Sequence, residues 1–377
     1  MKTKSLLLGS AAALFAVTGA RAADAVIIPE PEAVEYVRVC DAYGTGYFYI
    51  PGTETCMQIG GYVRVDVGFG ELNGADVDET DGSGADTYNF LSRATVTLKT
   101  RKDTEYGTLS TDIELRGNYS TNADTGVPGN SASWDGDRIY ETGDGFYVVK
   151  ALIGLGGFSI GKADSVFTTF TGYGGAVIND TTGGGYGKFG TNQVSYTFTS
   201  GAFTGKVALE QGTGGPGAYA LGEGGWLIDD YVPHVVAGAS FDAGMFTIAG
   251  VVGFDTSISS GWAGKVRVDA EISDAFSVFV MPMYTEAGVA YGTWSTSATA
   301  DTFSVIGGAS FAATDQATLN AQVQWAEGNG GSDVWAVAAN VAYEVTDGFV
   351  ITPEVQWARN TSGDSMWGGL VRFQRSY

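Results

Sequence analysis

Long apolar runs are missing from this chain of 377 residues. Apart from Ser5 to Val17, no stretch approaches a membrane-spanning length, so the sequence predicts no transmembrane helix. That first run is itself too short to span. It follows the positive charges of Lys2 and Lys4 and precedes Ala20-Arg21-Ala22, the small-x-small pattern that a signal peptidase needs. Residues 1–22 are therefore expected to be a secretory signal cleaved after Ala22. Charge is also scarce: charged residues make up 16% of the chain, against about 25% in soluble domains. The balance is acidic. The net charge is −22, and loss of Lys2, Lys4 and Arg21 leaves 17 basic against 42 acidic residues, or −25. Such a surface excludes nucleic acid as a partner. Histidine is nearly absent. His234 stands alone, so a Ser-His-Asp hydrolase finds little support. Cysteine is limited to Cys40 and Cys56, too few for a structural zinc site. In an exported chain, a disulfide closing this short loop is the natural reading. With only 8 prolines, and no three-residue period in its 57 glycines, the chain is neither a linker nor collagen-like.

What is abundant points to strands and turns. Tyr and Phe number 19 and 20, among many Val, Thr, Ser and Gly residues. From Gln58 to Phe69 the sequence alternates strictly. Ile59, Gly61, Val63, Val65, Val67 and Phe69 share one face, and Gln58, Gly60, Tyr62, Arg64, Asp66 and Gly68 the other. Globular strands average about five or six residues, whereas a tilted membrane-spanning strand needs about nine to eleven. The pattern recurs at Phe90 to Arg101, Leu109 to Arg116, Lys265 to Ile272 and Thr318 to Trp325. Short links such as Asp242-Ala243-Gly244 and Thr346-Asp347-Gly348 alternate with long polar connections: Gly70 to Tyr88, Tyr119 to Gly143, Val166 to Gly190 and Gly212 to Asp230. Short turns at one end and long loops at the other mark an up-and-down outer-membrane barrel.

The expected fold is all-β: a 16-stranded antiparallel transmembrane β-barrel. Strand centres are expected near residues 63, 95, 112, 150, 160, 195, 207, 236, 250, 266, 280, 306, 322, 338, 354 and 372. Pro282 and Pro353 fall inside these strands, where each removes a ladder donor. A position near a strand end or bulge would accommodate them. Residues 23–57 read as an N-terminal periplasmic segment carrying the Cys40–Cys56 disulfide, and residues 58–377 as the barrel.

The segment Ala33-Val34-Glu35-Tyr36-Val37-Arg38-Val39-Cys40-Asp41-Ala42-Tyr43-Gly44, with Gly46 to Cys56 and Ile59-Gly60-Gly61-Tyr62-Val63-Arg64, closely resembles the start of the alphaproteobacterial general porins. The ending Val371-Arg372-Phe373-Gln374-Arg375-Ser376 is similar to the same family. The resemblance implies a homotrimer in the bacterial outer membrane, in which the third long loop folds inward as a constriction. Partners would be small hydrophilic solutes and ions, with outer-membrane lipid and lipopolysaccharide around the wall. No cofactor and no enzymatic step are expected, only passive diffusion with a weak lean to cations. A substrate-specific channel and a surface adhesin remain the alternatives.

On this reading Arg64, Arg93, Lys99, Arg101 and Arg116 line the water-filled lumen. Facing an acidic inward loop, they would set up a transverse field that sorts solutes by charge. Paired with Asp66, Asp112 and Glu114, they would only solvate the wall. The loop is Val166 to Gly190, entered at Asp164 and carrying Asp180 as its one internal acid. Phe167, Phe170, Tyr173 and Tyr186 could pack it against the barrel, or it could be an ordinary surface loop. Its Gly185-Tyr186-Gly187-Lys188-Phe189-Gly190 is formally G-x-G-x-x-G, but an alternating strand follows where a dinucleotide site needs a helix. Asp76, Asp78, Glu79, Asp81 and Asp86 make the first long loop acidic without the spacing of a calcium hand. Tyr62, Trp226, Tyr231, Trp262, Tyr284, Trp325, Trp335 and Trp357 recur near strand ends, where those facing out would form interfacial girdles.

Overall fold

The computed structural model describes residues 38–74, 87–120, 146–212, 227–257, 260–289, 291 and 300–377. The expected signal at residues 1–22, the acidic run from Asp76 to Asp86 and Trp226 lie outside these residues. A two-residue strand, β1 (Phe48–Tyr49), precedes sixteen barrel strands. These are β2 (Cys56–Gly70), β3 (Asn89–Thr104), β4 (Gly107–Ser120), β5 (Phe146–Leu155), β6 (Phe158–Ala163), β7 (Thr191–Ser200), β8 (Phe203–Gln211) and β9 (His234–Asp242). They continue with β10 (Phe246–Asp255), β11 (Gly261–Ser273), β12 (Phe276–Thr285), β13 (Thr302–Ala312), β14 (Ala317–Ala326), β15 (Val334–Thr346), β16 (Phe349–Arg359) and β17 (Ser365–Ser376). A short α-helix, α1 (Val166–Thr169), interrupts the series. All sixteen expected strand centres fall inside these elements.

Each barrel strand pairs antiparallel with the next, and β17 returns to β2 through Arg372↔Asp66 and its neighbours. Closure leaves no free edge, which a lipid environment demands because nothing there can satisfy exposed backbone groups. The two-residue period then sorts the side chains. Ile59, Val63 and Phe69 point out and stay exposed, while Arg64 and Asp66 between them are half-buried. Exposed apolar residues continue around the wall with Ile153, Phe198, Val207, Ile248, Val323 and Val355. In water such a surface would be an aggregation hazard; against acyl chains it is the favourable arrangement. Trp262, Tyr284, Phe303, Trp325 and Trp335 form an outer aromatic row, with successive ring contacts of 5.1 Å (Trp262–Tyr284), 6.1 Å (Phe303–Trp325) and 6.5 Å (Trp325–Trp335). Tyr62 does not join it, because its register partner Thr95 is on the inner face.

The two prolines lie in mid-strand, not at strand ends. Pro282 pairs with Val305 on one side, while on the other the β11–β12 register lapses between Lys265↔Met283 and Val268↔Val280. Pro353 pairs with Val371, and the β15–β16 register lapses between Asn340↔Glu354 and Tyr343↔Ile351. In both cases the missing N–H coincides with a local gap in the ladder to the preceding strand, so the ring costs that side little. Arg375 likewise finds a specific place. Its Nη1 donates to Asp347 O at 2.8 Å and to Ser376 O at 2.7 Å, at the short β15–β16 turn.

Residues 40–57 are tied to the barrel. Cys40 and Cys56 form a disulfide, and Cys56 is the first residue of β2. Tyr47 is buried beside it, with Tyr43 and Tyr49 packed around. β1 pairs with Met57 and Cys56, and Gln58 Nε2 donates to Thr45 O at 3.0 Å. A loop of 16 residues closed by a disulfide contributes about 3 kcal/mol through the unfolded state. Replacing both cysteines by serine should lower thermal stability accordingly, read as an earlier loss of heat-modifiable mobility, with single-channel conductance unchanged.

Candidate functional site

The connection from Asp164 to Gly190, between β6 and β7, turns into the barrel. Its first turn is set locally. Ser165 caps α1 by accepting from Phe167 N at 3.0 Å. The same hydroxyl donates to Glu210 Oε2 at 2.7 Å, and Val166 N donates to Glu210 Oε1 at 2.7 Å. Val166 and Phe167 then bury against Ala208, Val236, Val251 and Ala263, from four consecutive strands β8 to β11. Burying two such side chains contributes roughly 3–6 kcal/mol.

Beyond α1 the chain runs along the inner wall toward β16. Gly175 N donates to Gln322 Oε1 at 2.5 Å and Gly183 N to Gln324 Oε1 at 2.5 Å. Gln322 and Gln324 both return hydrogen bonds to Asp180 O. At the far end Glu354 accepts from Ile178 N and, at 2.9 Å, from Asn179 N. Glu354 is itself held by Asn340 Nδ2 at 2.9 Å and Gln356 Nε2 at 3.0 Å. Thr182 Oγ1 adds a 3.0 Å contact to Gln356. The approach is backbone to wall, which is why glycine is required. A Cβ on Gly183 would stand 2.6 Å from Gln324 Oε1 and 2.8 Å from the Ala336 methyl. Gly183→Val should therefore push this part of the loop off β14 and β15, and solute permeability measured in liposomes should shift with it.

Two cations on β11 hold the loop. Lys265 is fully buried, and its Nζ donates to Tyr186 O at 2.6 Å, with the Phe167 and Tyr186 rings 5.0 and 5.2 Å away. A buried ammonium is tolerable only when hydrogen-bonded and embedded in such polarizable surroundings. Arg267 donates to Tyr173 O and, at 3.1 Å, to Gly174 O. It also pairs with Asp269 at 2.7 Å and lies over Phe279, 4.0 Å from the ring centre. Of the aromatics expected to dock the loop, Phe167 and Tyr186 are buried. Phe170 is partly buried and covers Gly238, while Tyr173 stays exposed and stacks on Phe189.

The expected acids of the loop engage its own tyrosines. Asp164 accepts from Tyr173 Oη at 2.7 Å, and Asp180 from Tyr186 Oη at 2.6 Å. Burial, and then the Asp180 carboxylate, push the Tyr186 phenol well up, so it remains a donor at neutral pH.

The loop covers β8 to β16, and the charged inner face of β17, β2, β3 and β4 lies outside its contacts described above. There Asp66 accepts from Arg372 Nε and Nη2 at 2.8 and 2.9 Å and forms an ion pair with Arg64 at 3.2 Å. Arg93 stands opposite Arg64 in register and donates to Asn118 at 2.7 Å. Arg116 pairs with Glu114 at 2.9 Å, and Arg101 with Asp112 at 2.8 Å. Arg64, Arg93, Arg116 and Arg372 thus gather on adjacent strands at one level. Lys99 and Arg101 do not join them. They lie six and eight residues beyond Arg93 on β3, about 20 Å or more toward the short turn at about 3.4 Å per residue. His234 is buried at the start of β9, where it accepts from Thr256 N at 3.1 Å beside Asp255.

Sequence reasoning missed the residues that hold the loop: Glu210, Glu354, Lys265, Arg267, Gln322, Gln324, Asn340 and Gln356. Their signal was present. All occupy the inward phase of alternating strands, and Glu354 is an ionisable group placed among uncharged neighbours on that face.

A closed, outwardly apolar barrel with a chain segment folded into its interior is the architecture of a porin. The Porin subfamily matches residues 24–371, and the chain belongs to it. It is 46% identical to the porin Omp2b of Brucella neotomae and 45% identical to that of Brucella abortus (strain 2308), in each case over 100% of both chains. The fold is similar to that of the outer membrane channel DcaP of Acinetobacter baumannii, with a TM-score of 0.65, 16% identity, and coverage of 87% of this chain and 99% of the other. The protein is therefore an outer-membrane porin channel of a bacterium, and its family implies passive transport, not enzymatic work.

Proposed function

We propose that the Asp164–Gly190 loop is the constriction of this channel and that solutes pass between it and the basic wall. The observation that carries this reading is the position of the loop, hydrogen-bonded from Glu210 on β8 to Glu354 on β16. Arg64, Arg93, Arg116 and Arg372 line the narrow level, and Lys99 and Arg101 line the approach from the short-turn end. Asp164 and Asp180 brace the loop through Tyr173 and Tyr186. The wall charge is balanced in part, with Asp66 serving two guanidiniums and Glu114 and Asp112 one each. Its field is therefore muted, and the strongly acidic chain tips the channel toward weak cation preference.

Transport is diffusion of small hydrophilic solutes and ions, with no cofactor and no covalent step. Residues 1–22 leave on export, and residues 23–57 stay on the periplasmic side. The chain assembles as a homotrimer, with lipid and lipopolysaccharide against the free outer wall. Reversal potentials of purified protein across a potassium chloride gradient test the charge reading. A small cation preference is expected, and a clear anion preference would overturn it.

A further inference from the structure

A second connection reaches the inward loop. Tyr291 lies between β12 and β13 in the chain, yet it is fully buried inside the barrel. Its Oη donates to Glu210 Oε2 at 2.9 Å, the same oxygen that accepts from Ser165 Oγ. Its ring lies 5.1 Å from that of Phe167 on α1 and meets His234 edge-on at 6.0 Å. The barrel wall makes room for it. A Cβ on Gly253 of β10 would stand 2.8 Å from Tyr291 Cδ2 and 3.1 Å from Phe167. Val289 joins the same cluster. One carboxylate thus ties together β8, the first turn of the inward loop and a separate long connection.

We propose that Tyr291 is a positioning residue for the pore: it clamps the first turn of the inward loop against the wall and so sets how often the channel closes. The inference rests on the reading that this loop is the constriction. A loop pinned only by Ser165, Val166 and Phe167 would keep the same open geometry but leave it more often. Glu210 cannot be replaced in this role by its neighbours on β8, because only its carboxylate receives both donors.

The test is single-channel recording of the full-length protein with Tyr291→Phe, which keeps the ring and removes the hydroxyl. Open-state conductance should stay at the wild-type value. Brief closures at fixed voltage should rise about tenfold, as loss of one hydrogen bond to a carboxylate implies. Glu210→Gln should raise closures as well, and the double variant should be less than multiplicative because the first change removes and the second weakens one shared contact. Heat-modifiable mobility would confirm that the barrels are folded. Should Tyr291→Phe fold poorly, Tyr291→Trp, which keeps a buried ring but cannot place a hydroxyl on Glu210, provides the same reading. Unchanged closure rates in folded Tyr291 variants, or strictly multiplicative effects with Glu210→Gln, would overturn the clamp. Wild-type protein without ohmic steps would instead overturn the constriction reading beneath it.

Discussion

Glu354→Ala should widen the solute cut-off of this porin more than any other single substitution. The carboxylate receives two backbone N–H donors from the far limb of the inward loop, Ile178 and Asn179, and two side-chain amides from the wall. Hydrogen bonds to a charged group contribute roughly 1.5–3 kcal/mol each, so losing the two loop contacts removes about 3–6 kcal/mol. An equilibrium that strongly favours the docked limb would fall by a factor of about 10² to 10⁴. Liposome swelling with sugars of increasing size measures the consequence. Larger sugars should enter through Glu354→Ala than through wild type, and single-channel traces should become noisier. Glu354→Gln should be milder, because one amide oxygen can still accept. Equal cut-offs for wild type and Glu354→Ala would show that this limb does not limit passage.

The second large effect concerns charge. Arg64 and Arg93 face each other across β2 and β3, at the level where Arg116 and Arg372 also sit. Changing both to glutamate alters the wall by four charge units. At about 8 Å in water each unit is worth roughly 0.5 kcal/mol to a passing monovalent ion, cut to less than half by physiological salt. The summed change of about 1 kcal/mol, gained by a cation and lost by an anion, predicts a cation-to-anion permeability ratio about thirtyfold higher than in wild type. The shift should shrink as salt rises. Lys99→Glu with Arg101→Glu, away from the narrow level, should move the ratio less. A larger shift from the second pair than from the first would place the narrow level elsewhere.

The barrel was legible in the sequence because its signal is local. Twelve alternating residues from Gln58 to Phe69 declare one apolar and one polar face without reference to any other strand. Each of the sixteen strands repeats some form of that statement, and short turns such as Asp242 to Gly244 fix the order. The docking of the loop is different in kind. Its backbone N–H groups at residues 175–183 find acceptors about 140 to 175 positions later, at Gln322, Gln324 and Glu354. No period or spacing encodes such a pairing. Glu354 in its strand reads as one more lumen-facing polar residue. Asp180 was legible as the loop's acid but not in its orientation, because Tyr186 competes for it inside the loop. Phase alone assigns the basic residues a strand face. Phase could not say that Lys99 and Arg101 sit far from Arg64, since height in the barrel depends on the register between strands. The prolines show the same limit. Pro282 and Pro353 violate a strand rule locally, and only the paired ladders reveal the gaps that admit them.

The most direct measurement of the central claim, a diffusion pore narrowed by the Asp164–Gly190 loop, is planar-bilayer conductance of detergent-purified protein in the presence of neutral polymers of graded size. The account predicts stepwise openings whose conductance rises linearly with salt. Polymers below a sharp size threshold should lower each step, and larger ones should leave it unchanged, with the threshold moving upward in Glu354→Ala. Absence of steps, or a conductance that saturates and is blocked by one particular solute, would contradict it.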